Sequence, residues 1–220
     1  MKFAKTQEMI ETVKKFFQLG VVSLLTNVMN YFDRFLIYPI FGASYVAMYY
    51  AVNSMSKVAS LITNPMASVI LSWVSNNTEK SNKLKILSFT ILSNIPVIFL
   101  VTLVTIPCTY IALIFLYPEY VHSSEALVLI IPISLTTAFG TATTLIKSVL
   151  LKYSNTNKLV ITYFIYIILF MILGYLLSKS NGLQGFTVAN LISKIVLWGL
   201  FIILLISSKK ESTNEDIREN

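Results

Sequence analysis

Six apolar segments of membrane-spanning length run through this 220-residue chain, joined by short polar connections. They cover about residues 16–39, 43–74, 86–116, 124–150, 159–178 and 184–207. A helix of about 20 apolar residues crosses a bilayer. Only 12% of the residues are charged, against about a quarter in soluble domains. The sequence therefore predicts an all-α, polytopic membrane protein with six transmembrane helices.

The two ends of the chain differ from this apolar middle. Hydrophobic residues recur at helical spacing in residues 1–15, which predicts an amphipathic helix in the membrane plane; a frayed, solvated leader is the alternative. Residues 208–220 are polar and predict a disordered cytoplasmic tail. The domain organisation is thus an in-plane helix, a six-helix lobe over 16–207, and a tail.

Basic residues are distributed unevenly between the two sets of connections. With the amino terminus inside, the inner segments hold twelve of the 17 basic residues: Lys2, Lys5, Lys14, Lys15, Lys80, Lys83, Lys85, Lys152, Lys158, Lys209, Lys210 and Arg218. The outer loops hold only Lys179. This bias predicts that both termini are cytoplasmic. It also explains the net charge of +7 without a nucleic-acid partner.

Polar residues form stripes on four of the six segments, because their spacings of three and four place them on one helix face. The stripe residues are Gly20, Ser23, Asn27, Asn30 and Arg34 in the first segment, Asn53, Lys57, Ser60, Asn64 and Ser68 in the second, Thr136, Gly140, Thr143 and Lys147 in the fourth, and Thr187, Asn190 and Lys194 in the sixth. The fifth segment has few polar residues and is expected to face lipid. Hydroxyls and glycines on such stripes also suit helix packing.

The charged residues within the segments are candidate substrate-binding residues, since intramembrane charges are costly and mark functional sites by default. With the stripe asparagines they make eight predicted site residues: Asp33, Arg34, Lys57, Lys147, Lys194, Asn30, Asn53 and Asn64. Lys57 lies roughly 20 Å along the second segment from its start, at 1.5 Å per residue, and Lys194 is also near mid-span. A water-filled cavity is the simplest environment for both. Lys147 could instead extend to the inner surface. Asp33 and Arg34 fit either the site or a structural ion pair.

The chain lacks the sequence signatures of common enzymes. It has no P-loop, H-E-x-x-H motif or nucleophile elbow. Its single cysteine, Cys108, and single histidine, His122, rule out an internal disulfide and disfavour a metal site. We expect no enzymatic activity and no cofactor. Four cations against one carboxylate within the segments predict a path that attracts anions.

Several stretches resemble the carboxyl-terminal half of bacterial polysaccharide and O-antigen flippases of the multidrug/oligosaccharidyl-lipid/polysaccharide exporter superfamily. They are D-R-F-L-I-Y-P-I-F-G-A-S-Y-V-A-M-Y-Y-A-V-N-S-M-S-K from Asp33, F-L-Y-P-E-Y, S-L-T-T-A-F-G-T-A-T-T, and G-L-Q-G-F-T-V-A-N-L-I-S. The resemblance covers about residues 16–207. Because the family has twelve or more spans in two lobes, this chain corresponds to one lobe.

The resemblance implies transport of an undecaprenyl-diphosphate-linked oligosaccharide across the bacterial inner membrane by alternating access. Arg34, Lys57, Lys147 and Lys194 would hold the diphosphate and sugar acids. It also implies a partner, either a second copy or a separate amino-terminal lobe. Two other functions remain open: a half-size multidrug/cation antiporter on the same fold, and a non-transporting fragment or assembly partner. A cation antiporter needs buried carboxylates to exchange its cargo for protons or sodium, and the six segments contain only Asp33.

Overall fold

The computed structural model describes residues 2–76, 80–154 and 156–219, and all regular structure in these ranges is helical. The helices are α1 (Lys2–Phe41), α2 (Ala43–Asn76), α3 (Lys80–Leu116), α4 (Pro118–Val121), α5 (Ser124–Tyr153) and α6 (Thr156–Glu219). The all-α prediction is confirmed. Helix α5 packs against α2, α3 and α6, so it lies at the centre of the bundle.

A single glycine makes the connection between α1 and α2. Gly42 has a φ of 86°, which favours glycine because no Cβ clashes there. Its backbone N–H donates to the Tyr38 carbonyl at 2.9 Å. This is the left-handed cap that commonly ends a helix. The connection between the predicted segments 16–39 and 43–74 is therefore shorter than expected, since α1 continues to Phe41 and α2 begins at Ala43.

Helix α6 is two arms joined by a break. Asn181 and Gly182 have non-helical backbone angles, and Gly182 has a φ of 59°. The rings of Phe170 and Phe186 lie 5.4 Å apart, and those of Tyr163 and Phe201 lie 5.6 Å apart. Since positions before the break pair in reverse order with positions after it, the two arms run antiparallel. They correspond to the predicted fifth and sixth segments.

The outer surface of the bundle is apolar and much of the interior is polar. Large side chains such as Phe16, Phe35 and Phe115 are 75–79% exposed. Asn94 and Ser193 are buried. Among the described residues, three helical ranges are long and apolar enough to cross a membrane: Lys85–Leu116, Ser124–Tyr153 and Thr156–Ser208. The chain is therefore a membrane-embedded helical protein.

Helix α1 is continuous from Lys2 to Phe41, and helix α6 extends to Glu219. The predicted division into an in-plane helix over 1–15 and a disordered tail over 208–220 stays a prediction. The fifth segment was expected to face lipid, but one of its faces packs inside the bundle, where Tyr163, Tyr166 and Phe170 are buried. Aromatic residues at helical spacing fill the bundle there in place of a polar stripe.

Candidate functional site

A cavity of about 790 Å³ lies inside the bundle. Its walls come from α1, α2, α5 and both arms of α6. Three of the four polar stripes contribute lysines to it, and all four contribute other polar residues. The stripes therefore face one another across a common space within a single copy of the chain.

Six of the eight predicted site residues lie on the cavity wall. They are Asp33, Asn53, Lys57, Asn64, Lys147 and Lys194. Arg34 lines a separate groove on the outside of the bundle. The side chain of Asn30 is outside the described part of the structure. The predicted residues of α2, α5 and α6 thus lie on one cavity wall, whereas Arg34 lies just off the α1 face that borders the cavity.

The carboxylate of Asp33 is held by hydrogen bonds. Its Oδ2 accepts from the Tyr49 hydroxyl at 2.7 Å, and its Oδ1 accepts from the Arg34 backbone N–H at 2.9 Å. The Asn190 side chain hydrogen-bonds to the same tyrosine hydroxyl. Both Asp33 and Tyr49 are buried, with 7% and 2% exposed. This cluster joins α1, α2 and the second arm of α6, and it leaves Asp33 little freedom to exchange a cargo ion.

Two lysines face the cavity from α5 and α6. Lys147 Nζ lies 3.4 Å from Thr26 Oγ1, and Lys194 Nζ lies 4.7 Å from the centroid of the Tyr166 ring. The two ammonium groups are close enough to repel each other. Lys194 is also within electrostatic range of Asp33. One carboxylate near two ammonium groups leaves a net positive charge, which an anion entering the cavity would offset.

Lys57 extends back along its own helix. Its Nζ lies 5.4 Å from the centroid of the Tyr50 ring and 5.1 Å from that of Tyr31. Long helical side chains lean toward the helix amino terminus, so the ammonium lies on the amino-terminal side of its Cα, near the Tyr50 ring. The Arg34 guanidinium contacts the same two rings, at 4.7 Å from Tyr50 and 5.5 Å from Tyr31. Two cations from neighbouring helices thus share one pair of tyrosines.

The wall hydroxyls mostly bond to their own helices. Thr136, Thr143 and Thr144 each donate to the carbonyl four residues earlier, at 2.6–2.9 Å. Because each hydroxyl hydrogen is donated to a backbone carbonyl, these hydroxyls offer only oxygen lone pairs to the cavity. The donors available to an anion are therefore chiefly lysine ammonium and asparagine amide groups.

The tyrosines of this site were not among the predicted site residues. Tyr49 binds Asp33, the only carboxylate among the described wall residues, and Tyr31, Tyr50 and Tyr166 lie against cations. The signal that could have found them is helical spacing: Tyr31 precedes Arg34 by three positions, and Tyr50 precedes Lys57 by seven. Rings at these offsets lie on the same helix face as the cation.

No cluster of three or more histidine, cysteine, aspartate or glutamate side chains occurs in the described residues, so none of their acidic or thiol groups is arranged as a metal site. No family model, curated protein or solved structure matches the chain, and its function has to be argued from its own residues.

Proposed function

We propose that this chain is one lobe of a membrane exporter whose cationic cavity binds the diphosphate of a lipid-linked oligosaccharide. One observation carries the proposal. Lys57, Lys147 and Lys194 line a single cavity, and the one carboxylate on its wall, Asp33, is already hydrogen-bonded. The resemblance to polysaccharide flippases adds the substrate class, an undecaprenyl-diphosphate-linked glycan moved by alternating access.

The energetic cost of these lysines supports a functional role. A lysine at the centre of a membrane helix costs about 2.5–3.5 kcal/mol on insertion scales. Three of them would cost roughly 8–10 kcal/mol if each faced lipid. A hydrated cavity removes most of that cost, and an anionic ligand then gains from the same charges. Helix packing alone would be served better by small uncharged residues.

The proposed topology has six spans. Helices α1, α2, α3, α5 and the two arms of α6 would each cross once. Helices α1 and α2 are less apolar than the others because they carry polar stripes, yet their outward faces hold exposed side chains such as Leu24, Leu61 and Val69. Six crossings and the basic inner segments would leave both termini in the cytoplasm of a bacterium, with the chain in the inner membrane.

The proposal includes a partner. In exporters with parallel repeats, the substrate site lies between two lobes related by an axis along the membrane normal. A second copy of this chain, or a separate amino-terminal lobe, would complete the cavity. A cysteine at Asn27, which is exposed beside both the cavity and the outer groove, should cross-link two copies in membranes if they pair through α1.

The observations weigh against the alternative of a cation antiporter. Such a transporter needs a carboxylate that exchanges a proton or sodium for its cargo, whereas both oxygens of Asp33 accept hydrogen bonds from the protein. A non-transporting fragment or assembly partner is distinguished by experiment, because it would insert normally yet move no lipid.

The test is a flipping assay in proteoliposomes with a fluorescent undecaprenyl-diphosphate saccharide. Lys147→Gln and Lys194→Gln should each lower the rate about tenfold or more, since hydrogen bonds to charged groups contribute about 1.5–3 kcal/mol. Lys179→Gln, which removes an exposed lysine away from the cavity, is the matched control and should keep full activity. Equal rates for Lys147→Gln, Lys194→Gln and the control would refute a substrate role for the cavity lysines.

A further inference from the structure

A second, apolar groove runs along the outside of α1 near its junction with α2. Its volume is about 780 Å³, and its walls include Val28, Phe35, Tyr38 and Val46. Phe35 and Tyr38 are 75% and 64% exposed, so the groove opens on the surface that would face lipid. Its shape and lining suit a hydrocarbon chain.

Arg34 gives this groove one positive charge. Its side chain lines the groove, and its Nε is buried without a hydrogen-bond partner within the protein. The guanidinium contacts the rings of Tyr31 and Tyr50. Cation–ring contacts hold a guanidinium in place and leave its edge for hydrogen bonds. A guanidinium edge pairs well with phosphate oxygens, which it can bind in a forked geometry.

The depth of Arg34 matches a headgroup. It lies seven residues before the end of α1 at Phe41, which is roughly 10 Å along the helix at 1.5 Å per residue. The headgroup layers extend about 5–7 Å beyond the hydrocarbon on each side. A long basic side chain near a helix end extends toward that layer. Arg34 therefore lies near the level of the headgroups, with Val28 deeper along α1 and Tyr38 nearer the helix end.

We infer that the α1–α2 groove binds one anionic phospholipid, with its phosphate on Arg34 and one hydrocarbon chain running deeper along Phe35 and Val28. A phospholipid is favoured over a diphosphate lipid because the groove carries one cation and opens to the bulk membrane. Asn27 and Tyr31 line both the groove and the cavity, so a lipid bound here contacts the cavity wall. The inference does not depend on transport.

The test is native mass spectrometry of the purified chain from nanodiscs that contain equal amounts of phosphatidylglycerol and phosphatidylcholine. The wild-type chain should retain phosphatidylglycerol in preference. Arg34→Gln should reduce that retention about fivefold, the effect expected of one basic residue near an anionic headgroup. Lys179→Gln, at an exposed position outside the groove, should retain as much as wild type.

A second variant and two competing ligands test whether the groove binds phosphatidylglycerol. Val28→Trp should fill the groove and lower phosphatidylglycerol retention while Arg34 stays in place. Full retention in that variant would overturn the inference even if Arg34→Gln failed to insert. Equal retention of the two lipids by wild type would also overturn it. So would displacement of phosphatidylglycerol by inorganic phosphate, or by an equimolar polyprenyl diphosphate. Loss of flipping in the Lys147 and Lys194 variants is a separate result and does not bear on this site.

Discussion

The two arms of α6 approach each other closely at Gly185. A Cβ on this residue would lie 1.9 Å from the carbonyl oxygen of Leu177 and 2.7 Å from its carbonyl carbon. Both atoms are backbone, so no rotation of a side chain relieves the overlap. Reaching an ordinary contact of 3.4 Å requires a local separation of about 1.5 Å, the difference between 3.4 and 1.9 Å.

This separation should reduce the stability of Gly185→Ala. Overpacking costs about 1–3 kcal/mol, and a rigid backbone neighbour favours the upper end. At about 2–4 °C per kcal/mol for a chain of this size, a cost of about 3 kcal/mol lowers the melting temperature by about 6–12 °C. The second arm carries Asn190 and Lys194, so its displacement should also loosen the cavity wall.

Gly199→Ala is the matched control within the same helix. Nothing lies within 4 Å of the Cβ it would add. Alanine is favoured over glycine in a helix interior by up to about 1 kcal/mol, so this variant should melt at the wild-type temperature or a few degrees higher. Thermal unfolding in detergent, followed by fluorescence-detected size exclusion, measures both variants. Equal shifts for the two would refute the close approach as the reason for glycine at 185.

Two further predictions concern the buried cluster and the orientation. Tyr49→Phe should destabilise the chain by about 1–3 kcal/mol because Asp33 Oδ2 loses its donor, whereas Tyr38→Phe, at an exposed ring, should leave the melting temperature unchanged; a neutral Tyr49→Phe would contradict the role of this hydrogen bond. A cysteine at Asn76 should resist a membrane-impermeant thiol reagent in intact cells, and one at Ser123 should react; labelling of the first would reverse the proposed topology.

Much of the architecture could be predicted from periodicity. The predicted segments 43–74 and 124–150 agree with α2 and α5 within a few residues at each end. Apolar length and helical spacing are local properties, so sequence reasoning finds them. The same spacing placed Lys57, Lys147 and Lys194 on inward faces, and the structure brings all three to one cavity.

The rest depended on contacts between helices. Nothing in the sequence pairs Tyr49 with Asp33, because their bond depends on how α2 packs against α1. The fifth segment was predicted to face lipid because it has few polar residues. Its aromatic residues Tyr163 and Phe170 nevertheless line the cavity. Arg34 lies on the predicted stripe, but its position at the edge of that stripe directs it to the outer groove.

Equilibrium binding tests whether the cavity binds an anion through Lys147 of α5 and Lys194 of α6. We would measure the affinity of the chain in nanodiscs for undecaprenyl diphosphate and for undecaprenol, which share a chain but differ in charge. Wild type should prefer the diphosphate by about tenfold or more, as expected for one or more charged hydrogen bonds. Lys147→Gln/Lys194→Gln should lose that preference. Equal affinity of wild type for the two lipids, or an undiminished preference in the double variant, would contradict the account.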